Sequence, residues 1–102
     1  MKKSESFFLL DPIIEKILAT VLKSATCEAI ILFGSRARGD FNSKSDYDIA
    51  VKGMSEKDFA KINDLLADND FTLKKIEILM YEQLNESYKK SVDTEGIVLY
   101  ER

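Results

Sequence analysis

Gly34-Ser35, ten intervening residues and then Asp46-Tyr47-Asp48 form the stretch of this 102-residue chain whose residue types and spacing could do chemistry. The Gly-Ser pair follows an apolar run, Ala29-Ile30-Ile31-Leu32-Phe33, and Asp-Tyr-Asp leads into another, Ile49-Ala50-Val51. A strand that ends in Gly-Ser can offer bare backbone N–H groups and a hydroxyl to phosphate oxygens. Two Asp at i and i+2 of a strand share one face, and carboxylates held that close repel unless a cation lies between them. The stretch therefore predicts a phosphate cradle followed, a loop later, by a platform for a divalent metal.

Glu77 is a third candidate carboxylate. It interrupts the apolar residues Ile76, Ile78 and Leu79, where a buried, unpaired charge is costly. A metal shared with Asp46 and Asp48 would remove that cost; the alternative is a solvent-facing side of the strand. Arg36 and Arg38 could clamp phosphate oxygens, the alternative being solvated charge or contact with a partner. Taken singly, Gly-Ser is a strand-to-turn signal and Asp-Tyr-Asp a solvent-facing strand edge. Together, even allowing several spacings, they would arise by chance on the order of 10⁻² of the time at average residue usage, so the combination outweighs its parts.

What the chain lacks narrows the chemistry. It has no His, which excludes Ser-His-Asp and Cys-His catalysis, His-ligated zinc and imidazole acid–base chemistry within it. Carboxylates, hydroxyls, Lys, Arg and bound metal remain. A net charge of −3 gives no basic footprint, so long nucleic acid is not an expected partner. No apolar run approaches a membrane span, and Phe7-Phe8-Leu9-Leu10 is too short for a signal peptide. The lone Cys27 forms no internal disulfide and suits the cytoplasm. The alternation Asp40, Asn42, Lys44, Asp46, Asp48 fails as a calcium loop, because Lys44, Ser45 and Val51 fall where an acceptor, Gly and Glu are needed. No Gly-Lys-Ser/Thr ending marks a P-loop.

The elements that must position these residues are legible from spacing. Asp11-Pro12 reads as a helix start, with Ile13, Ile14, Ile17, Leu18, Val21 and Leu22 as its apolar stripe. A buried strand is expected over 27–33, a short helix over 35–38 whose N-terminus adds positive potential to the anion site, a turn-rich loop over 39–45, and a second strand over 46–52. Ser55 to Asp58 resembles a capping box with Asp in place of Glu or Gln, and Phe59, Ile62, Leu65 and Leu66 give the following helix a core face. A third strand is expected over 73–80, a helix over 81–94 with Leu84, Tyr88 and Val92 inward, and a last strand over 97–100. The whole is one domain, 1–102, of the α/β (α+β) class: a mixed sheet of about four strands with helices packed on it, its first two strands antiparallel.

Gly-Ser, ten residues, Asp-Tyr-Asp resembles the signature of the DNA polymerase beta-like nucleotidyltransferase superfamily. Gly34-Ser35-Arg36-Ala37-Arg38-Gly39, the small size and the C-terminal Glu-Gly-Ile-Val-Leu-Tyr resemble its minimal nucleotidyltransferase branch. The resemblance implies the nucleotidyltransferase fold and transfer of AMP from ATP to a hydroxyl, with Gly34 and Ser35 on the triphosphate. It implies Asp46 and Asp48 on two Mg²⁺ ions, with Glu77 where the family usually places Asp. It further implies an antitoxin that modifies a tyrosine of a HEPN-type RNase toxin, its partner in a hetero-oligomer. Two readings compete with this one. One is an antitoxin that neutralises by binding alone, with a vestigial nucleotide site; the other is a small-molecule modifier akin to aminoglycoside nucleotidyltransferases, for which a second lobe is missing.

Overall fold

The structure, a computed structural model, describes residues 2–3 and 11–102. Phe7-Phe8-Leu9-Leu10 lies outside the described residues. The elements are β1 (Lys2–Lys3), α1 (Pro12–Ser24), β2 (Ala29–Phe33), α2 (Ser35–Arg38), β3 (Tyr47–Lys52), α3 (Glu56–Ala67), β4 (Ile76–Met80), a 3-10 turn (Tyr81–Gln83), α4 (Glu86–Glu95) and β5 (Ile97–Glu101). One mixed sheet runs in the order β1-β5-β2-β3-β4. It contains the four expected strands and adds the two-residue β1, parallel to β5 at the edge. β2 and β3 are antiparallel, as expected, with Phe33 opposite Asp48. α3 then carries the chain over one face of the sheet so that β4 lies parallel to β3.

The two faces hold different helices. α1 starts where Asp11 accepts a hydrogen bond from the Ile13 N–H at 3.0 Å and Pro12 takes a position with no N–H to satisfy. Its Ile14, Ile17 and Val21 are fully buried with Ile30, Leu32, Ile49, Ile62 and Leu66, so α1 and α3 cover one face. Burial of each such side chain stabilises the fold by about 1.5–3 kcal/mol before entropy is counted. The apolar stripes are narrower than expected: Leu22 of α1 and Leu65 of α3 are exposed at their margins. Cys27 lies in this same cluster, 1% exposed, and burial pushes its thiol pKa up. On the other face Ala29, Ile31, Phe33, Ala50 and Val98 pack beneath Val92 of α4. β2 lies between β3 and β5 and is buried on both faces, hence its unbroken apolar run.

Several boundaries differ from the sequence expectations, each for a local reason. Strand β4 begins at Ile76 rather than at 73. Asn69 Oδ1 accepts from the N–H groups of Phe71 and Thr72, and Thr72 Oγ1 from that of Lys74, so the backbone before 75 is committed to turns. Leu73, on that turn, is fully exposed. The helix expected over 81–94 is divided: Leu84 closes the 3-10 turn on the Tyr81 carbonyl, and Asn85 restarts the chain as α4 by accepting from the Tyr88 N–H at 2.9 Å. At α3, Ser55 Oγ accepts from the Asp58 N–H, but the Asp58 carboxylate receives the Thr26 N–H instead of returning to Ser55. The cap is therefore one-sided, and Asp58 ties α3 to the segment ahead of β2.

Candidate active site

Asp48 lies on β3 with its side chain on the α4 face, directly between Phe33 of β2 and Glu77 of β4 in register. The strand period places Tyr47 and Ile49 on the opposite face, among the residues that pack with α1 and α3. Glu77 thus joins Asp48 on one side of the sheet, and Leu79 follows it on the same side. β2 ends beside them in Gly34, whose φ of 76° turns the chain into α2. A Cβ on Gly34 would collide with Asp48 Oδ2. That position needs glycine twice over, for the backbone angle and for the approach of the carboxylate.

These residues border one open cleft of about 320 Å³, lined by Gly34, Ser35, Arg38, Asp48 and Glu77, with Phe33 and Leu79 at its floor and Tyr88 and Ser91 of α4 along its side. Burial pushes the Asp48 carboxyl pKa up, and the negative charges of Glu77 and Asp46 push it further; Lys75 and Arg38 oppose them. The carboxylate is crowded by charges of its own sign, as the spacing of the acids suggested. Lys75 Nζ lies 3.8 Å from Glu77 Oε2.

The close convergence expected of Asp46, Asp48 and Glu77 is only partly present. Among the described residues, no three His, Cys, Asp or Glu side chains are gathered tightly enough to hold a metal ion. Asp46 precedes β3 by one residue, beyond the ladder that opens with the Tyr47 N–H on the Lys75 carbonyl at 2.9 Å. It borders the neighbouring surface depression with Ser43, Lys44 and Lys75. The donor chemistry is that of magnesium: Asp48 and Glu77 on adjacent strands, with Asp46 one residue ahead of β3, offer hard oxygen ligands beside a turn suited to phosphate.

Arg36 is placed otherwise than a phosphate clamp would be. It is 6% exposed and does not line the cleft. Its guanidinium lies 4.0 Å from the Tyr47 ring centroid and 4.8 Å from that of Phe41. Its Nε donates to the Ser45 carbonyl at 3.1 Å and its Nη2 to that of Asn42 at 3.4 Å, while Nη1 is 3.8 Å from Asp11 Oδ2. The Tyr47 hydroxyl donates to the same Asp11 Oδ2 at 2.9 Å. Six residues, from α2, β3, the 39–45 loop and the start of α1, thereby meet under the site. The cation at the cleft is Arg38, which is paired with Asp40 at 3.2 Å and with Glu95 of α4 at 3.1 Å.

Sequence reasoning missed three participants. Tyr88 reads as a core residue of its helix, yet it is half-exposed at the cleft, with its ring edge-on to Phe33 at 6.3 Å. Ser91, one turn further along the same helix face, carried no signal. Tyr47 was legible only as the spacer between two acids, although its aromatic bulk on the inner side of a strand was a sign of burial.

The family described as "Polymerase beta, Nucleotidyltransferase" matches residues 15–102 of the chain. A Methanocaldococcus jannaschii protein named "Putative protein adenylyltransferase MJ0604" is 40% identical over 76 residues, 70% of this chain and 76% of its own length. Among solved structures, a toxin-antitoxin with AMP-PNP superposes with a TM-score of 0.68 at 22% identity, covering 86% of this chain and 73% of that one. A Sulfolobus solfataricus protein described as "a putative nucleotidyltransferase" gives 0.56 at 24% identity, covering 89% and 79%. A mutant of the toxin-antitoxin MntA-HpeT gives 0.61 at 20%, covering 89% and 73%.

Proposed function

This chain belongs to the polymerase beta nucleotidyltransferase family, and from that membership we propose that it transfers AMP from ATP to a tyrosine hydroxyl of a HEPN-type RNase toxin, as the antitoxin of that toxin in the cytoplasm. The observation that carries the reading is the contact between the two halves of the signature: Gly34 of the phosphate turn lies against the Asp48 carboxylate, with Glu77 in register beside it. A triphosphate seated on Gly34 and Ser35 would have its transferable phosphorus next to the acids.

The acceptor hydroxyl oxygen attacks the α-phosphorus of ATP. A new O–P bond forms, the bond from that phosphorus to the bridging oxygen breaks, and pyrophosphate leaves; the hydroxyl proton passes to a cleft carboxylate. Gly34 and Ser35 hold the phosphates through backbone N–H groups and the Ser35 hydroxyl. Arg38 adds positive charge to the phosphate side, and Tyr88 and Ser91 bound the nucleotide on the α4 side. Asp46, Asp48 and Glu77 would hold Mg²⁺, which when bound neutralises the charge on the phosphates and lowers the pKa of the acceptor hydroxyl.

The test is to incubate the chain with labelled ATP, Mg²⁺ and the HEPN-type toxin proposed as its partner, against a chain carrying Asp46→Ala and Asp48→Ala. Labelled toxin only with the unaltered chain is the expected result. Equal labelling by both would overturn the reading. Neutralisation of the toxin in cells by the folded double variant would favour the competing reading, inhibition by binding alone, for which the open spacing of the three acids speaks.

A further inference from the structure

We propose that Arg36 is a positioning residue that fixes the 41–47 loop, and with it Asp46, through the Ser45 and Asn42 carbonyls and the Tyr47 ring. The catalytic part of this inference rests on the reading above; the mechanical part does not.

Asp46 stands outside the β3 ladder, so sheet pairing does not hold it. The residue before it is held: the Ser45 carbonyl accepts from Arg36 Nε at 3.1 Å. Tyr47, the residue after it, lies with its ring under the same guanidinium and its hydroxyl on Asp11. Further back, the Asn42 carbonyl accepts from Arg36 Nη2 and Phe41 lies against the same cation. One side chain of α2 thus grips the loop on both sides of Asp46. The turn it grips is tied internally by Ser45 N–H to the Asn42 carbonyl at 3.1 Å, Asn42 N–H to Ser45 Oγ at 3.0 Å and Lys44 N–H to Asn42 Oδ1 at 2.8 Å.

This arrangement requires a guanidinium. A planar cation can face aromatic rings and donate in two directions at once, whereas an ammonium is a point charge without a face. Arg36→Lys therefore keeps the charge and removes the geometry. A phosphate clamp would tolerate that exchange at least in part; a positioning residue would not.

The experiment compares the full chain with Arg36→Lys and with Phe41→Leu, the latter at an exposed position of the loop. Amide hydrogen exchange is followed without nucleotide, AMP-PNP affinity is measured by calorimetry, and turnover is measured with and without Asp46→Ala. Exchange at Asn42, Lys44 and Ser45 is expected to quicken at least tenfold in Arg36→Lys and by a smaller factor in Phe41→Leu, with β2 and β3 amides unchanged. AMP-PNP affinity should stay within about threefold. Turnover should fall at least tenfold in Arg36→Lys, and that fall should vanish when Asp46 is already Ala, because residues acting through one another are not additive. Unchanged exchange at the three amides, in either variant, overturns the positioning role. A tenfold loss of AMP-PNP affinity with unchanged exchange returns Arg36 to phosphate binding. An inactive unaltered chain counts against the proposed function and leaves the exchange result to decide this inference.

Discussion

Gly34 and Asp48 occupy mutually exclusive space: a methyl group on the glycine would stand where Asp48 Oδ2 is. The turn that would receive phosphate and the carboxylate that would serve the metal are therefore fitted to each other, and disturbing one must displace the other.

Gly34→Ala is the direct consequence. The new residue meets a φ of 76° and a carboxylate already in place. A non-glycine residue at such an angle costs on the order of 1–2 kcal/mol, and denaturant midpoints should show it. AMP-PNP affinity should fall at least tenfold by calorimetry. Tight binding by a folded Gly34→Ala chain would mean the turn is not where phosphate is held.

Asp48→Asn should separate activity from stability. Burial and the charges of Glu77 and Asp46 raise the Asp48 pKa in the folded chain. The native state thus binds this proton more tightly than the unfolded state. The stability it contributes is complete below the unfolded pKa and is lost as pH rises through the folded one. At neutral pH the ionised carboxylate is a burden, which the amide removes. The variant should melt on the order of a few degrees higher in metal-free buffer, with AMP transfer abolished. A lower melting temperature would show that Asp48 is compensated in the apo fold.

Tyr47 should mark the alkaline limit of the fold. Burial, then its hydrogen bond to Asp11, pushes its pKa up to about 12. In the unfolded chain a tyrosine titrates near ~10, so between the two values only the unfolded state gives up the proton. Stability should decline across that window, by at most roughly 3 kcal/mol from this group. Tyr47→Phe should be less stable at neutral pH through loss of the Asp11 contact, yet show a shallower decline above pH ~10. Parallel curves for the two chains would assign the alkaline loss elsewhere.

Arg38 should matter for binding more than for folding. Its pairs with Asp40 and Glu95 are exposed, and such pairs contribute about 0–1 kcal/mol. Arg38→Ala should therefore leave the denaturant midpoint nearly unchanged but weaken AMP-PNP binding about tenfold at low salt, with a smaller effect at high salt. Glu95→Gln should strengthen binding slightly by releasing the cation. Insensitivity of binding to both changes would remove Arg38 from the phosphate side.

The sequence was most legible where one residue type has one physical use. Gly34 had to be a turn, the β2 run had to be a doubly buried strand, and Glu77 among apolar neighbours had to face the acids or water. It was least legible where the same residue serves either of two roles. Arg36 and Arg38 look alike two residues apart, but only the packing of Phe41 and Tyr47 decides which one is buried. Asp46 has the correct parity to share a face with Asp48, but parity acts only inside a ladder, and the ladder opens one residue later. Tyr88 has helical spacing with Leu84 and Val92, but Leu84 lies ahead of the helix, and Tyr88 in its first turn is half-exposed at the cleft. Strand β1 carried no pattern, because two residues are too few to show a strand period.

Cys27 is the only cysteine in the chain, and it lies sealed beneath α1 among Ile17, Val21 and Ile30. Alkylating reagents capture a thiolate that water can reach, and the folded chain offers neither the ionisation nor the access. The rate at which iodoacetamide consumes the protein would therefore count its openings, so the molecule carries its own stopwatch for how often the layer beneath the signature comes apart.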